Sequence, residues 1–205
     1  MKTQFNFFLK LSLMATVLAG LAFVTSCNDD DDVEVDPLVG DYQFKKATYL
    51  GTAGATGITA ESIDVIAPTG IPDPPTIVLT FNPNDDITAI ISGAINGLID
   101  CNDPANTTIE LREDGSLWYS CNSETVTSIS SGTWVVNETA GTLSLNVVSE
   151  ALGVTLSIVL NQFNLTSNIL SGTIVGFPIP ADLTIPLGAD NIYVIAYEGE
   201  FTKIN

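Results

Sequence analysis

The chain has 205 residues, with 24 acidic side chains against 6 basic ones, no histidine and a formal net charge of −18. Such an excess of acid leaves no surface that neutralises phosphates or anionic lipid headgroups, so we predict neither nucleic-acid binding nor electrostatic adsorption to a membrane. Without histidine, Ser-His-Asp and Cys-His catalysis are excluded within the chain, and the commonest zinc ligand is missing. We predict no metal site and no cofactor.

The first 26 residues have the order of a secretory signal. Lys2 and Lys10 supply positive charge, an apolar run extends from Leu11 to Val24, and the small residues Thr25 and Ser26 follow it. The apolar run is shorter than the roughly 20 residues that span a bilayer, which disfavours a permanent transmembrane helix. We therefore predict that residues 1–26 are a signal peptide.

Cys27 follows this segment directly. The stretch Val24-Thr25-Ser26-Cys27 resembles the bacterial lipobox, with Val24 in place of the usual Leu. The resemblance implies that the Cys27 thiol carries a diacylglycerol, that further acylation such as palmitate follows, and that Cys27 becomes the new N-terminus. Several acyl chains on one residue hold a protein to a membrane far longer than a single chain does. The alternative is a cysteine that follows an ordinary cleavage site.

Residues 27–37 are predicted to be the lipidated cysteine and an acidic tether. The run Asn28 to Asp32 holds four aspartates, and like charges keep such a segment solvated and extended. An acidic run just after the cysteine resembles the export signal of surface lipoproteins in some Gram-negative bacteria. That resemblance implies a lipid-anchored protein of the cell envelope, held in the outer membrane and exposed on its surface.

Residues 38–205 are long enough for one domain with a substantial core. Tyr42, Phe44 and Tyr49 mark a first strand, and the apolar run from Thr76 to Phe81 marks another. A long insertion, 51–71, separates the two. These are the first of the short alternating runs that give the domain a mainly β character.

One amphipathic helix is predicted over residues 85–98. Asn84 is the expected N-cap, and Asp85 and Asp86 are expected in the first turn, where the helix dipole favours acids. One face of the helix carries six apolar residues at helical spacing: Ile87, Ile90, Ile91, Ala94, Ile95 and Leu98. We expect this face to pack over one end of the domain, either as a fixed part of the core or as a movable gate.

Cys101 and Cys121 form an even pair once Cys27 is lipidated. In an oxidising compartment a disulfide between them is the default prediction, and it would stabilise the fold by about 3 kcal/mol. A metal pair and a redox pair are the alternatives. Neither is supported, because the chain offers no further Cys or His as a ligand and the spacing is not Cys-x-x-Cys.

The rest of the chain alternates between short strands and turns. A hairpin is predicted around the turn at 113–116 and another around 137–141. The expected strands are Thr108–Arg112, Leu117–Cys121, Thr133–Val136, Thr142–Val147, Val154–Leu160, Leu170–Val175, Ile192–Tyr197 and Phe201–Ile204. Successive strands joined by short turns favour a single antiparallel up-and-down barrel or an open meander, with the helix covering one end.

Two short motifs add a family resemblance. Gly40-Asp41-Tyr42 opens the first strand and Gly132-Thr133-Trp134 opens a later one, with the two cysteines and an acidic hairpin between them. This order resembles the lipocalin-like domains of bacterial surface lipoproteins and implies a lipocalin-like barrel. In lipocalins, the Trp of the first motif packs against a basic residue from the end of the barrel. Here Tyr42 replaces that Trp, and Lys203 is the basic residue expected beside it.

A barrel of eight strands is either filled by its own side chains or holds one small ligand. The candidate lining residues are all aliphatic, so any ligand should be a small apolar molecule. They are Leu143, Leu145, Val147, Leu156, Ile158 and Leu160. The alternative is a packed barrel that acts as a surface interaction protein, either an adhesin or an accessory subunit of an envelope complex.

An enzyme is the third and least favoured class, and we predict no catalytic residue. Paired carboxylates hydrolyse glycosides without histidine, and four acids lie close together along the chain. They are Glu110, Glu113, Asp114 and Glu124. Acids are ordinary in a hairpin turn, and a β fold alone licenses no chemistry.

Overall fold

The structure is a computed structural model that describes residues 36–67, 77–99, 107–121, 129–149, 154–183 and 192–205. These residues are mainly β and contain an eight-stranded, closed, antiparallel barrel with a single short helix. The predicted fold class is therefore confirmed, in its barrel form rather than as an open meander.

Each barrel strand pairs with the next strand of the barrel along the chain, as in an up-and-down barrel. The barrel strands are β1 (Gly40–Gly54), β5 (Thr107–Leu111), β6 (Ser116–Cys121), β7 (Ile129–Asn137), β8 (Thr142–Ser149), β9 (Val154–Thr166), β10 (Ile169–Pro180) and β11 (Ile192–Lys203). The last strand closes the barrel on the first, from Tyr42 opposite Lys203 to Thr52 opposite Ile195.

The two ends of the barrel differ. The lower end holds the start of β1 and the short turns at 112–115, 138–141 and 167–168. At the upper end the chain between β1 and β5 forms four further elements. They are β2 (Gly57–Thr59), β3 (Ile63–Ala67), β4 (Ile77–Phe81) and helix α1 (Thr88–Ile99). Of the described residues outside the eight barrel strands, most thus lie at the upper end.

Bulges in β1 explain why its aromatic residues do not follow simple alternation. The register with β11 shifts between Phe44 and Lys46, and again between Tyr49 and Gly51. The first bulge inserts one residue and reverses which side chains face inward. Tyr42 and Tyr49 are consequently both buried, although they are seven positions apart and simple alternation would place them on opposite faces.

The closing strand corrects one sequence prediction. Ile192–Tyr197 and Phe201–Ile204 were predicted as two strands, but β11 runs unbroken from Ile192 to Lys203. Gly199 lies inside the strand at a tightly packed position, where a Cβ would lie 3.3 Å from both Ile174 Cδ1 and Tyr197 Cε2. The glycine therefore marks a packing requirement and does not break the strand.

Helix α1 is confirmed as an amphipathic helix, but it begins later than predicted. Asn84 is not its N-cap, because Asn84 has φ of 77° and lies in a turn, while the helix starts at Thr88. The Asp86 carboxylate accepts the Thr88 amide at 2.9 Å just before the helix. Of the predicted apolar face, Ile87, Ile91 and Ile95 are buried, whereas the Leu98 side chain lies outside the described residues.

The segment leading into α1 is fixed along β1. The Tyr49 amide donates to the Asp85 carbonyl at 2.9 Å, and the Ile87 amide donates to the Ala47 carbonyl at 3.0 Å. The Thr88 hydroxyl also accepts the Ala47 amide at 2.9 Å. These bonds hold the start of the helix to the upper half of β1, so the helix belongs to the core.

Strands β3 and β4 form a hairpin at the upper end. Ile63 and Val65 of β3 are buried in the core. On its other edge β3 is bonded to the chain just after β10, where the Ile66 amide donates to the Ala181 carbonyl at 3.0 Å and the Ile66 carbonyl accepts the Leu183 amide at 3.1 Å. Strand β3 is therefore held from both sides, whereas β4 is the outer strand of the hairpin.

Candidate functional site

The six predicted lining residues face the barrel interior and form three opposed pairs across strands β8 and β9. The pairs are Leu143 with Leu160, Leu145 with Ile158, and Val147 with Leu156. All six belong to the hydrophobic core; Leu156 and Ile158 are partly buried, and the other four are buried. The sequence thus identified the inward face of this sheet segment by alternation alone.

The lower part of the interior is filled by side chains. A cavity in this region measures about 10 Å³, which is close to the space that a single water molecule requires. Its lining is aliphatic and aromatic: Tyr42, Ile109, Leu111, Leu145, Leu170 and Phe201. This part of the barrel has no room for a ligand larger than a water molecule.

Two tyrosines, Tyr119 and Tyr197, bring hydroxyl groups into the interior. Burial raises the pKa of both well above the ordinary value. The Tyr197 ring packs edge-on against Phe177 with ring centroids 5.6 Å apart. Neither hydroxyl makes a hydrogen bond to another described residue, although buried tyrosine hydroxyls usually have a partner. A molecule bound inside the barrel would find these two hydroxyls among the polar groups of the core.

The buried tyrosines predict a loss of stability in alkali. Burial and the nearby Asp36 raise the pKa of Tyr42 to about 12, and burial raises those of Tyr119 and Tyr197 further. The unfolded chain releases these protons at lower pH than the folded chain does, so the contribution of the buried tyrosines to the free energy of unfolding is fully present below pH 10. Above pH 10 that free energy falls by about 1.4 kcal/mol per pH unit for each tyrosine. Urea unfolding between pH 8 and 12 measures this slope. The slope should be smaller in Tyr197→Phe, and an unchanged slope would contradict the assignment.

The start and end of the described chain meet at the lower end of the barrel. The Lys203 ammonium donates to the Pro37 carbonyl at 2.7 Å and lies 5.9 Å from the centroid of the Tyr42 ring. The Tyr42 hydroxyl donates to the Leu38 carbonyl at 2.9 Å. The predicted contact between Lys203 and Tyr42 is confirmed, and it fixes the point where the chain enters the barrel.

Gly40 is required beside this contact. A Cβ at this position would lie 2.6 Å from Lys203 Cε and 2.4 Å from the Asn205 carbonyl oxygen. The backbone there also has φ of 146°, which L-residues rarely adopt. The glycine of the first motif therefore makes room for the lysine that crosses it.

The second motif packs on the neighbouring hairpin. Trp134 is buried, and its indole nitrogen donates to the Arg112 carbonyl at 2.8 Å. The Arg112 guanidinium lies 3.9 Å from the centroid of the Trp118 ring and binds Glu110 through two hydrogen bonds of 2.7 Å. One arginine therefore connects the strand and turn residues of this hairpin.

Three of the four acids considered for catalysis line one groove at the lower end, where two of them are bound by neighbouring groups. Glu110 is paired with Arg112. Asp114 accepts hydrogen bonds from the Ser116 amide and hydroxyl, which lower its pKa. Glu113 is exposed in the turn, and Glu124 lies outside the described residues. The prediction that no residue is catalytic stays a prediction.

A shallow groove of about 600 Å³ opens at the lower end. Its lining mixes both signs of charge: Val39, Gly40, Asp41, Glu110, Leu111, Arg112, Glu113, Asp114, Lys203 and Asn205. The two cations already have partners, in Glu110 and in the Pro37 carbonyl. The groove therefore offers acidic side chains and no free cation among its lining residues.

Exposed aliphatic side chains concentrate in the upper half of the molecule. They are Ile58, Ile66, Ile77, Val78, Val148, Val175, Ile192 and Val194, whereas the lower end carries Val135 and Ile204. Single exposed aliphatic residues are normal, whereas contiguous apolar patches are typical of interaction sites.

Two predicted sites, the lipidation site and the disulfide, involve residues that the structure does not describe. Cys27 and Cys101 lie outside the described residues, as does the side chain of Cys121, so lipidation and the disulfide both stay predictions.

Among the described residues, no three potential metal ligands come together. Within the same part of the chain, no helix combines the length and apolarity needed to cross a bilayer.

The fold and interior together define an eight-stranded antiparallel barrel, filled at its lower end and extended by a hairpin and a helix at its upper end. Comparison with protein-family models gives no match to this sequence, and comparison with curated proteins gives none either.

Sequence reasoning missed strand β3. Ile63 and Val65 alternate with Asp64 and Ile66, which is the period of a half-buried strand. This signal was present, but the long 51–71 stretch was treated as one insertion. Its partner β4 was predicted as a strand from Thr76, within one residue of the observed start.

Proposed function

We propose that this chain is a lipoprotein of the bacterial cell envelope, anchored through Cys27 to the outer membrane and exposed on its surface, whose filled barrel presents an interaction surface to a partner protein. The observation that carries the interaction role is the packing of the core. Three opposed aliphatic pairs and a residual space of about 10 Å³ support a barrel that is filled in its lower part.

The position of the chain's entry supports the anchored arrangement. The tether leads into Asp36, whose carboxylate accepts the Leu38 amide at 2.8 Å and whose carbonyl accepts the Val39 amide at 2.8 Å. The barrel is thus attached to its tether through an ordered turn at the lower end. The exposed aliphatic residues are in the other half of the molecule, away from the point of attachment.

A small apolar ligand is the second candidate function, and the buried hydroxyls of Tyr119 and Tyr197 favour it. An unsatisfied buried hydroxyl costs about 1–3 kcal/mol, which a ligand with a hydrogen-bonding group would recover. Native mass spectrometry of the full chain released from a mild detergent distinguishes the candidates. We expect the mass of the protein with its lipid anchor alone; a further bound molecule of constant mass would establish the ligand-binding function instead.

The anchor is tested by removing the Cys27 thiol. In Cys27→Ala we expect complete loss of metabolic labelling with radioactive palmitate and transfer of the protein from the membrane to the soluble fraction, because no other residue would carry the acyl chains. Cys121→Ala is the matched control. It should lose the predicted disulfide, yet keep its label and its membrane location. Label that persists in Cys27→Ala would show that the anchor has been misplaced.

A further inference from the structure

Strand β4 is the most exposed apolar strand among those described. Its five residues are Ile77, Val78, Leu79, Thr80 and Phe81, and none of them is buried. Ile77 is 51% exposed and Val78 is 53% exposed. Leu79 and Phe81 are half-buried, and Phe81 packs against the core, so Ile77 and Val78 are the large apolar side chains that this strand leaves in water.

One edge of β4 has no partner among the described strands. Its other edge pairs with β3, from Ile77 opposite Ala67 to Phe81 opposite Ile63. Natural proteins protect such an edge with a charged residue, a proline or a bulge. Strand β4 contains no charge and no proline, and its register with β3 is regular. Within the part of the chain that the structure describes, this edge therefore carries none of these protections.

The charge around β4 indicates what kind of strand would pair with it. Asp64 of β3 lies opposite Thr80 of β4, Glu61 lies two residues before β3, and neither strand of the hairpin contains a base. A second copy of the chain would bring two such acidic regions together, which is electrostatically unfavourable. A strand that carries lysine or arginine would instead be attracted, and opposite charge would increase its rate of association.

We propose that β4 binds an extended segment of a partner protein in which apolar residues alternate with lysine or arginine, and that this segment adds to the β3–β4 hairpin as a third strand. The inference rests on the proposed interaction role and specifies the partner. Main-chain hydrogen bonds to the free edge would supply affinity. The apolar face of the segment would continue the face of Ile77 and Leu79, and its cations would lie on the opposite face, which carries Asp64.

A synthetic ten-residue peptide of alternating valine and lysine is the probe. The full chain, in a mild detergent, is titrated with it and followed by fluorescence anisotropy of a dye on the peptide. A peptide of the same composition, with its valines in one block and its lysines in another, controls for general attraction to an acidic protein. We expect at least tenfold tighter binding of the alternating peptide, and slower hydrogen exchange of the amides of residues 77–81 when it is bound.

Two variants localise the site. Val78→Lys places a cation on the proposed edge and should weaken binding at least tenfold. Val135→Lys makes the same change at an equally exposed valine, 58% accessible, on β7 near the lower end, and should leave binding within twofold of the unaltered chain. Both side chains are on the surface, so both variants should unfold at a temperature close to that of the unaltered chain.

Three outcomes would overturn the proposal. The first is equal affinity for the two peptides, and the second is equal weakening of peptide binding by the two variants. The third is a dimer in sedimentation that Val78→Lys dissociates, because it would identify a second copy as the occupant of the edge. A small molecule found by native mass spectrometry would instead tell against the filled barrel while leaving peptide binding at β4 intact. The two failures are therefore distinguishable.

Discussion

Gly132→Ala is expected to destabilise the barrel by about 4 kcal/mol or more, at the upper extreme for single substitutions. A Cβ on Gly132 would lie 1.7 Å from the Asn146 carbonyl oxygen and 2.9 Å from its carbon, both backbone atoms of the paired strand β8. Backbone cannot rotate away as a side chain does, so β7 and β8 would have to separate. Urea unfolding followed by tryptophan fluorescence measures the loss.

Gly141 is the matched control for this substitution, because it lies in the turn that joins the same two strands. Its φ is 64°, so alanine there is strained as well, but a Cβ would meet nothing within 4 Å. Gly141→Ala should therefore cost only about 1 kcal/mol, from backbone strain alone. If the two variants lost equal stability, the close approach of β7 and β8 at Gly132 would be disproved.

The second large effect is expected at Leu160. Its side chain is fully buried and lies opposite Leu143, which is also fully buried. Truncation to alanine in a filled core leaves a cavity, so Leu160→Ala should lower the free energy of unfolding by about 3 kcal/mol. Leu156, which is only partly buried on the same strand, is the control and should lose about half as much.

The same measurement reports whether the barrel is filled at this level. In a hollow barrel Leu160 would already line a space, and its truncation would remove only the transfer free energy of the lost atoms, without a new cavity. A loss below about 1.5 kcal/mol for Leu160→Ala would therefore contradict the filled interior. The double variant with Leu143→Ala should be less than additive, because the two side chains touch the same space.

The barrel strands were predictable because each carries local information about its own pairing. Alternation at Leu143, Leu145 and Val147 indicated the inward face, and the acidic turn at 113–116 indicated a hairpin. The pairing of the last strand with the first, which closes the barrel, does not follow from such local patterns. The continuous course of β11 depends on tight packing around Gly199, and the bulges of β1 depend on pairing with a strand distant in sequence.

Strand β4 shows the same difference between what the local sequence predicts and what the rest of the fold decides. The composition of β4 predicted a strand, and a strand of this kind is normally expected to be buried. Its exposure follows from how the hairpin sits: β3 takes the contacts with the core and with residues 181–183, and β4 is left outside. No local pattern states which strand of a hairpin becomes the outer one, since that choice depends on the surfaces available elsewhere in the fold.

The contact between Lys203 and Pro37 has a mechanical consequence. The chain leaves the domain beside the start of β1, and β1 pairs with β11 over most of its fifteen residues. A pull on the tether against a partner held at the opposite end would run along the strands. The ladder bonds between β1 and β11 would then share the load in shear instead of opening one at a time. Under the proposed anchoring, a pull on the tether would therefore have to break many of these bonds at once.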